Sequence, residues 1–406
     1  MRFPTGKQIC PASSIARQAD RAIRVVWESR VRQEILEQAD TLVVKVGTNV
    51  LADAKGRLDP SRLADLAQQI AELKKAGKRV VLVSSGAIGA GVGRLALSGR
   101  PTDLPGLQAC AAVGQCFLMR AWEDAFVSHG IPTAQILLTA GDFDNRTRYL
   151  NARNTILTLL EWGAVPIINE NDTVSVAEIR FGDNDTLAAM VANLIRSPIL
   201  VLLSVIDGLF ERDPNTDPSA KVIREIPEID DAVLERAGVS KSSLGTGGMK
   251  SKLKAARMAS IAGASVFMAR GTDPGILKGL FGPEEKGTLF LAKKEGLPSW
   301  KRWIGYTAQP RGSIKVDAGA ARALVSQGKS LLPIGITDVT GNFHKGAVVT
   351  IVGTDGIELA RGLSNYSAAD TLRIKGLRSE EIASRLGAFA YAEVVNRDNL
   401  VVLSES

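Results

Sequence analysis

Residues 41–51 read Thr-Leu-Val-Val-Lys-Val-Gly-Thr-Asn-Val-Leu, and the fold follows from how that stretch is read. The run 42–46 is short, β-branched and closed by Gly47, which predicts a strand buried on both faces. Lys45 interrupts it. Ammonium groups are rarely buried without a partner, so a lysine at the end of such a strand either snorkels to water or meets a ligand anion. Gly47 lets the backbone approach that ligand.

Outward from this strand the chain alternates. Helices are predicted over 60–76, 107–127, 148–161, 184–195 and 250–262, and strands over 79–83, 133–137, 165–168, 199–203 and 265–268. Strands separated by helices of this length make a mostly parallel sheet covered on both faces. Near 296–312 the pattern changes around Gly296, Pro298, Pro310 and Gly312. Beyond it come short β-branched segments (312–316, 335–336, 347–352, 394–395) with Gly/Asn turns, which predict a small β-barrel. The expected organisation is an N-terminal extension over 1–38, an α/β domain over 39–297, a linker over 298–310 and a barrel domain over 311–406.

Composition excludes several classes. The chain has 406 residues, 45% of them hydrophobic and 23% charged, which rules out a disordered or collagenous protein. The net charge of +7 splits as +3 over 1–38, +3 over 39–310 and +1 over 311–406. No segment concentrates it, so the charge argues against a nucleic-acid face. No apolar run reaches the ~18 residues of a membrane span. The Arg-rich N-terminus lacks the apolar core of a secretory signal, and Asp20 and Glu28 oppose a transit peptide. An amphipathic leader helix over about 23–38 is expected instead. Cys10, Cys110 and Cys116 lack metal-ligand spacing and read as buried, unreactive thiols of a reduced compartment.

Two nucleotide motifs fail. Gly328-Lys329-Ser330 ends like a P-loop, but Ala323 stands where the first glycine belongs and no strand feeds it. Gly91, Gly93 and Ala96 match a dinucleotide fingerprint, yet they lie too far past the strand and no acid follows at the required distance.

Four clusters remain, three of them at C-terminal ends of predicted strands, where an open α/β sheet holds its ligands. The first is Lys45-Val46-Gly47-Thr48-Asn49. The second, residues 84–93, sets Ser84, Ser85 and four glycines at a helix start, an anion cradle or a plain glycine-rich turn. In the third, Asn169-Glu170-Asn171-Asp172 is followed by Gly182-Asp183-Asn184-Asp185. It is dense in carboxylates and amides, as recognition of an amino group and a carboxylate requires, although Asp183 or Asn184 also reads as a helix N-cap. The fourth, residues 245–252, places Gly245, Thr246, Gly247, Gly248, Met249, Lys250, Ser251 and Lys252 before a helix, where N–H groups and lysines can neutralise polyphosphate. Together they point to phosphoryl transfer without a P-loop, a reaction that is mostly positioning and charge neutralisation.

At these residues the sequence resembles the amino-acid kinase superfamily, and within it the glutamate 5-kinase family. The resemblance rests on TLVVKVGTNVL, VLVSSGAIGAG, YLNARNT, VPIINENDTVSVAEIRFGDNDTLAA and LGTGGMKSKL, and runs from about Thr41 to the C-terminus. SLLPIGITDVTGNFHKGAVV resembles the PUA domain that many bacterial members carry. The resemblance implies a three-layer αβα sandwich around a mainly parallel sheet, followed by a small PUA-like β-barrel. It implies ATP-dependent phosphorylation of the γ-carboxylate of L-glutamate to L-glutamyl 5-phosphate, the first step of proline biosynthesis, in the cytoplasm.

By the same resemblance, Lys45 and Lys252 would stabilise the transferring phosphoryl group, with Asp185 holding both. Ser85, Asn169, Asp172 and Asn184 would bind glutamate. Lys45, Gly47, Ser204 and the run Thr246 to Lys252 would contact ATP, with Mg²⁺ held mainly by the ATP phosphates and no protein metal cage. Where the family carries Ser/Thr-Asp, this chain has Ser204-Val205, with Asp207 two further on. The resemblance also implies a homo-oligomer (dimer or tetramer), a reductase that takes up glutamyl 5-phosphate, and proline as feedback inhibitor. The barrel has two readings: an RNA-binding or RNA-modifying module, opposed by its near-neutral charge, and an assembly or regulatory module.

Overall fold

The computed structural model describes residues 31–53, 57–174, 183–236, 248–282, 284–293, 301, 303–386 and 391–403. The stretch that opens the α/β domain is strand β1 (Thr41–Val46), all six residues buried. It lies in the middle of an eight-stranded sheet with β2 (Arg79–Ser84), β3 (Thr133–Leu138), β4 (Val165–Glu170), β5 (Ile199–Ser204), β6 (Glu225–Ile226), β7 (Ser265–Arg270) and β8 (Thr288–Phe290). The order is β3-β4-β2-β1-β5-β7-β8-β6, parallel throughout except where β8 runs against β7.

Strand alternation assigns the two faces. Val43, Val81, Val83, Leu200 and Leu202 join one core, with helices α7 (Arg146–Glu161), α8 (Asn184–Ile195) and α10 (Met249–Ile261) above them. Leu42, Val44, Val80, Leu82, Val201 and Leu203 join the other, under α1 (31–38), α3 (Pro60–Lys75), α5 (Leu104–Val127) and α11 (Ile276–Phe281). Burial of continuous apolar strands between two helical layers is what their sequences require.

Two close approaches shape the site's surroundings. Helix α4 (Ala87–Arg94) is built from AIGAGVGR, and it packs backbone to backbone on α5. A Cβ on Gly91 would fall 1.9 Å from the Cys110 carbonyl oxygen, and one on Gly114 1.8 Å from that of Ala87. Part of the glycine-rich run therefore serves helix packing rather than an anion. The other feature is Arg32 on α1, 1% exposed. Its guanidinium donates to the carbonyls of Arg224 and Lys286 at 2.7 Å and of Leu280 and Gly287 at 3.3 Å. The helix before β1 is thereby pinned to the far end of the sheet. The rest of the expected leader helix, 23–30, lies outside the described residues. Cys110 is buried as expected, whereas Cys116 sits on the exposed side of α5, which corrects the expectation of three buried thiols.

The second unit is a five-stranded sheet of β9 (Gly312–Val316), β10 (Ile336–Gly341), β11 (Val348–Val352), β12 (Glu358–Ser364) and β13 (Val395–Val402), in the order β10-β9-β11-β12-β13. A bridge between Leu331, just before β10, and Val395 draws the two edges toward closure around Ile314, Val349, Ile351 and Val395. Helix α12 (Ala318–Gln327), capped by Asp317 on the Ala320 N–H, covers it. The two units meet where Asp144, closing helix α6 (Ala140–Asp144), accepts from the Gln309 N–H at 2.6 Å and from Arg311 at 3.0 Å. Beside it Tyr149 packs on Ile304, Ala308, Val348 and Val401.

Candidate active site

The alternation that places Val43 under α8 and α10 places Lys45 there too, two residues on. Its ammonium meets Asp185 Oδ1 at 2.6 Å, and Lys252 Nζ meets Asp185 Oδ2 at 2.9 Å. The two lysines are 6% exposed and the aspartate 0%. Asp185 lies in the first turn of α8, where the positive end of the helix dipole favours a carboxylate. Burial alone would push its carboxyl up. The charges and hydrogen bonds of Lys45 and Lys252 outweigh burial and hold it below the usual carboxylate value. One carboxylate thus holds two ammonium groups, one from β1 and one from α10. Lys252 itself stands in the first turn of α10, whose N-cap, Gly248, makes no side-chain hydrogen bond. Helix N–H groups and two lysines in one place suit an anion.

A cleft of about 150 Å³ opens beside this triad, at the C-terminal ends of β1, β2 and β5. Lys45, Gly47, Thr48, Asn49, Ser85, Asp183, Asn184, Asp185, Ser204 and Lys252 line it, so residues from four separated motifs share one wall. A Cβ on Gly47 would stand 3.3 Å from the Leu203 carbonyl oxygen and 3.7 Å from Lys45 Nζ, so a larger residue would crowd the lysine. Gly86 enters α4 in the left-handed region, φ 106°, and makes the turn that presents Ser85.

Behind the wall runs a chain of amides. Asn184 Nδ2 donates to the Ser84 carbonyl at 3.0 Å and to Ser85 Oγ and Asn169 Oδ1 at 2.9 Å. Asn169 Nδ2 donates to Gln115 Oε1 at 2.9 Å, and Trp122 Nε1 donates to Ser84 Oγ at 3.0 Å. Asn169 is therefore a buried support and not part of the cleft lining. Asp172 is half-buried in the turn after β4 and also stands apart from that lining. Lys250 is exposed, Met249 packs into the core and Ser251 donates to the Gly248 carbonyl at 2.9 Å. Thr246, Gly247, Phe181 and Gly182 lie outside the described residues.

Arg100, Gln115 and Trp122 were invisible to motif reading: Arg100 sits in a loop, and the other two look like ordinary positions of a long apolar helix. Val205 lines the cleft where the family pattern has an acid. Asp207 does not replace that acid, because Arg270 grips it with two hydrogen bonds at 2.7 and 2.8 Å and lowers its carboxyl. Among the described residues no cluster of three or more His, Cys, Asp or Glu side chains is placed to hold a metal ion, and no helix is long and apolar enough to cross a membrane.

Comparison with known proteins matches residues 40–269 to the amino acid kinase family and residues 312–386 to the PUA domain. A glutamate 5-kinase of Geobacter sulfurreducens is 47% identical over 373 residues, covering 92% of this chain and 100% of that protein. One from Burkholderia multivorans is 49% identical over 372 residues, 91% of this chain and 100% of its own length. One from Moorella thermoacetica is 47% identical over 368 residues, 91% and 97% respectively.

Proposed function

This chain belongs to the amino acid kinase family, and within it to the glutamate 5-kinase family, and on that premise we infer that it phosphorylates the γ-carboxylate of L-glutamate with ATP. The product is L-glutamyl 5-phosphate, formed in the first step of proline biosynthesis. The observation that carries this reading is the buried Lys45–Asp185–Lys252 triad, in which one carboxylate holds two lysines beside the cleft.

The chemistry needs little from the protein beyond placement. A carboxylate is ionised at pH 7, so it attacks without a general base. One of its oxygens bonds to the γ-phosphorus as the bond to the ADP oxygen breaks, and no proton moves. Lys45 and Lys252 neutralise charge on the transferring group and on the leaving ADP. Asp185 holds both ammonium groups in place for that role. Ser85, Asn184, Asn169 and Asp172 bind or orient glutamate. Gly47, Ser204 and the run Thr246 to Lys252 approach the nucleotide. Mg²⁺ rides on ATP, whose oxygens suit its hard, oxygen-seeking coordination.

The reading extends to 39–297 as the kinase domain, 298–310 as linker and 311–406 as an assembly or regulatory module. The Asp144 contact with Gln309 and Arg311 supports that role for the barrel, since it couples the barrel to the helix after β3. Further proposals are a cytoplasmic homo-oligomer, proline as inhibitor and a reductase as consumer of the acyl phosphate. Deleting 308–406 and measuring activity, proline inhibition and oligomer size tests the barrel's role; no change in any of them refutes it. The activity itself is tested by ADP release with Mg²⁺ over a panel of acceptors. Glutamate is expected to drive it, and turnover with aspartate or UMP instead overturns the reading.

A further inference from the structure

The cleft has to press two anions together, a carboxylate and a triphosphate that stays negative even with Mg²⁺ bound. Among the described residues that line it, Lys45 and Lys252 are matched by Asp183 and Asp185. The remaining charged side chain of the lining is Arg100, so the surplus of positive charge rests on it. Its circumstances differ from those of the lysines. Both lysines are buried and tied to Asp185, whereas Arg100 is exposed and has no hydrogen bond or ion pair among the described residues. It stands between α4 and α5 on residues 98–102, all exposed except Pro101. The last backbone bond before them runs from the Leu97 N–H to the Val92 carbonyl, and the next from the Leu107 N–H to the Asp103 carbonyl, both at 3.1 Å. Between those two, 98–102 makes no backbone hydrogen bond among the described residues. Such an arm can carry a guanidinium across the cleft without breaking one.

We propose that Arg100 is a third catalytic cation, brought by the 98–102 arm onto the phosphoryl group as it passes from ATP to the acceptor. The proposal rests on the reading that this cleft transfers a phosphoryl group. The bonds exchanged are unchanged: an acceptor oxygen bonds to phosphorus as the bond to the ADP oxygen breaks. In that transition state negative charge spreads over three equatorial oxygens. A guanidinium presents its N–H bonds as a planar fork that matches two of them, which an ammonium group cannot do. Lys45 and Lys252 share their charge with Asp185 throughout. Arg100 has no carboxylate to give up, and its full charge is available when the arm closes.

The test is steady-state kinetics of the full chain with both substrates varied, using whichever acceptor drives ADP release in the parent. Arg100→Ala should lower kcat about 10²-fold, the usual loss for one transition-state donor, with both KM values within about threefold of the parent. Arg100→Lys keeps the charge without the fork and should stay at least about tenfold below the parent. A second probe is ADP with Mg²⁺ and aluminium fluoride, a mimic of the phosphoryl group in flight. With acceptor present it should inhibit Arg100→Ala about 10²-fold more weakly than the parent. Chemical denaturation midpoints of both variants should match the parent's, because the side chain is exposed, and a shifted midpoint would make Arg100 structural. An unchanged kcat overturns the proposal, as does a loss confined to KM, a lysine variant equal to the parent, or unaltered inhibition by the mimic. A parent that transfers to an acceptor other than glutamate overturns the substrate assignment and still tests Arg100. A parent that transfers to no acceptor overturns the kinase reading itself, and the part of Arg100 with it.

Discussion

Asp185 and Asp144 are both partly or wholly removed from water, both face cations, and their carboxyls move in opposite directions. At the Lys45–Asp185–Lys252 triad, burial opposes ionisation, but two ammonium groups at 2.6 and 2.9 Å prevail and lower the carboxyl. At the junction between the units, burial opposes ionisation and wins. The Gln309 N–H and the half-exposed Arg311 guanidinium only moderate it, so Asp144 is held above the usual value. The count and placement of cations decide the outcome, not burial as such. Asp185 is a fixed anion whose purpose is to hold two lysines. Asp144 is a joint whose charge is nearly incidental.

The strongest way to break this contrast is Asp185→Ala, which leaves two buried ammonium groups with no shared counter-charge. Removing one partner of a buried ion pair costs about 3–5 kcal/mol, and chemical denaturation should register it together with loss of activity. Stability within about 1 kcal/mol of the parent would mean that the triad relaxes into water, and the fixed-anion argument would fail. Next in size is Lys252→Ala. Lys45 remains on Asp185, so the fold survives. Turnover should fall about 10²–10³-fold, the usual effect of losing one transition-state donor, with a much smaller change in glutamate affinity. Steady-state kinetics with both substrates varied would check it, and an unchanged kcat would remove Lys252 from the reaction.

The contrast sharpens in pH. A carboxyl lowered by folding contributes stability above its unfolded value near pH 4 and loses it as pH falls through the folded value. A carboxyl raised by folding does the reverse: its favourable contribution holds below about pH 4 and is lost as pH rises through the folded value. Unfolding free energies measured from pH 3 to 7 for Asp185→Asn and Asp144→Asn, each relative to the parent, should therefore slope in opposite directions. Asp185→Asn becomes more harmful as pH rises, and Asp144→Asn less so. Parallel slopes would refute the opposed shifts.

Much of this was legible in the residues. A lysine in the β-branched run 42–46 is anomalous enough to mark the site, and strand alternation with Val43 then puts it under α8 and α10. The ends of β1, β2 and β5 carried their hydroxyls, amides and glycines in plain view. Other parts were hidden for physical reasons. In α4 three glycines obscure a helix, since glycine disfavours one, and only the tertiary contact of Gly91 with α5 makes it the fitting residue. Gln115 sits in a long apolar helix whose periodicity says nothing about a hydrogen bond to Asn169, 54 residues away. Arg100 reaches the cleft from a loop with no pattern of its own. In the barrel, α12 and β12 escaped because a short alanine-rich helix and a strand containing Arg361 and Gly362 carry weak periodic signals.

The smallest expected effect is at Asp144 itself, and it tests the comparison most severely because the structural surroundings look so similar. Asparagine keeps the acceptor oxygen that receives the Gln309 N–H, and it removes the ionisation that burial opposes. What it loses is the charge facing Arg311, which is half-exposed and screened by water. Such pairs contribute about 0–1 kcal/mol, so Asp144→Asn should change stability by less than that near pH 7 and leave kcat within about twofold of the parent. Asp144→Ala removes the acceptor as well and strands the Gln309 N–H. It should cost about 1–3 kcal/mol, the usual penalty for an unpaired donor, expressed as earlier unfolding of 312–402 in hydrogen exchange. If Asp144→Asn proves as damaging as Asp144→Ala, the joint depends on its charge after all, and the two aspartates are alike in kind.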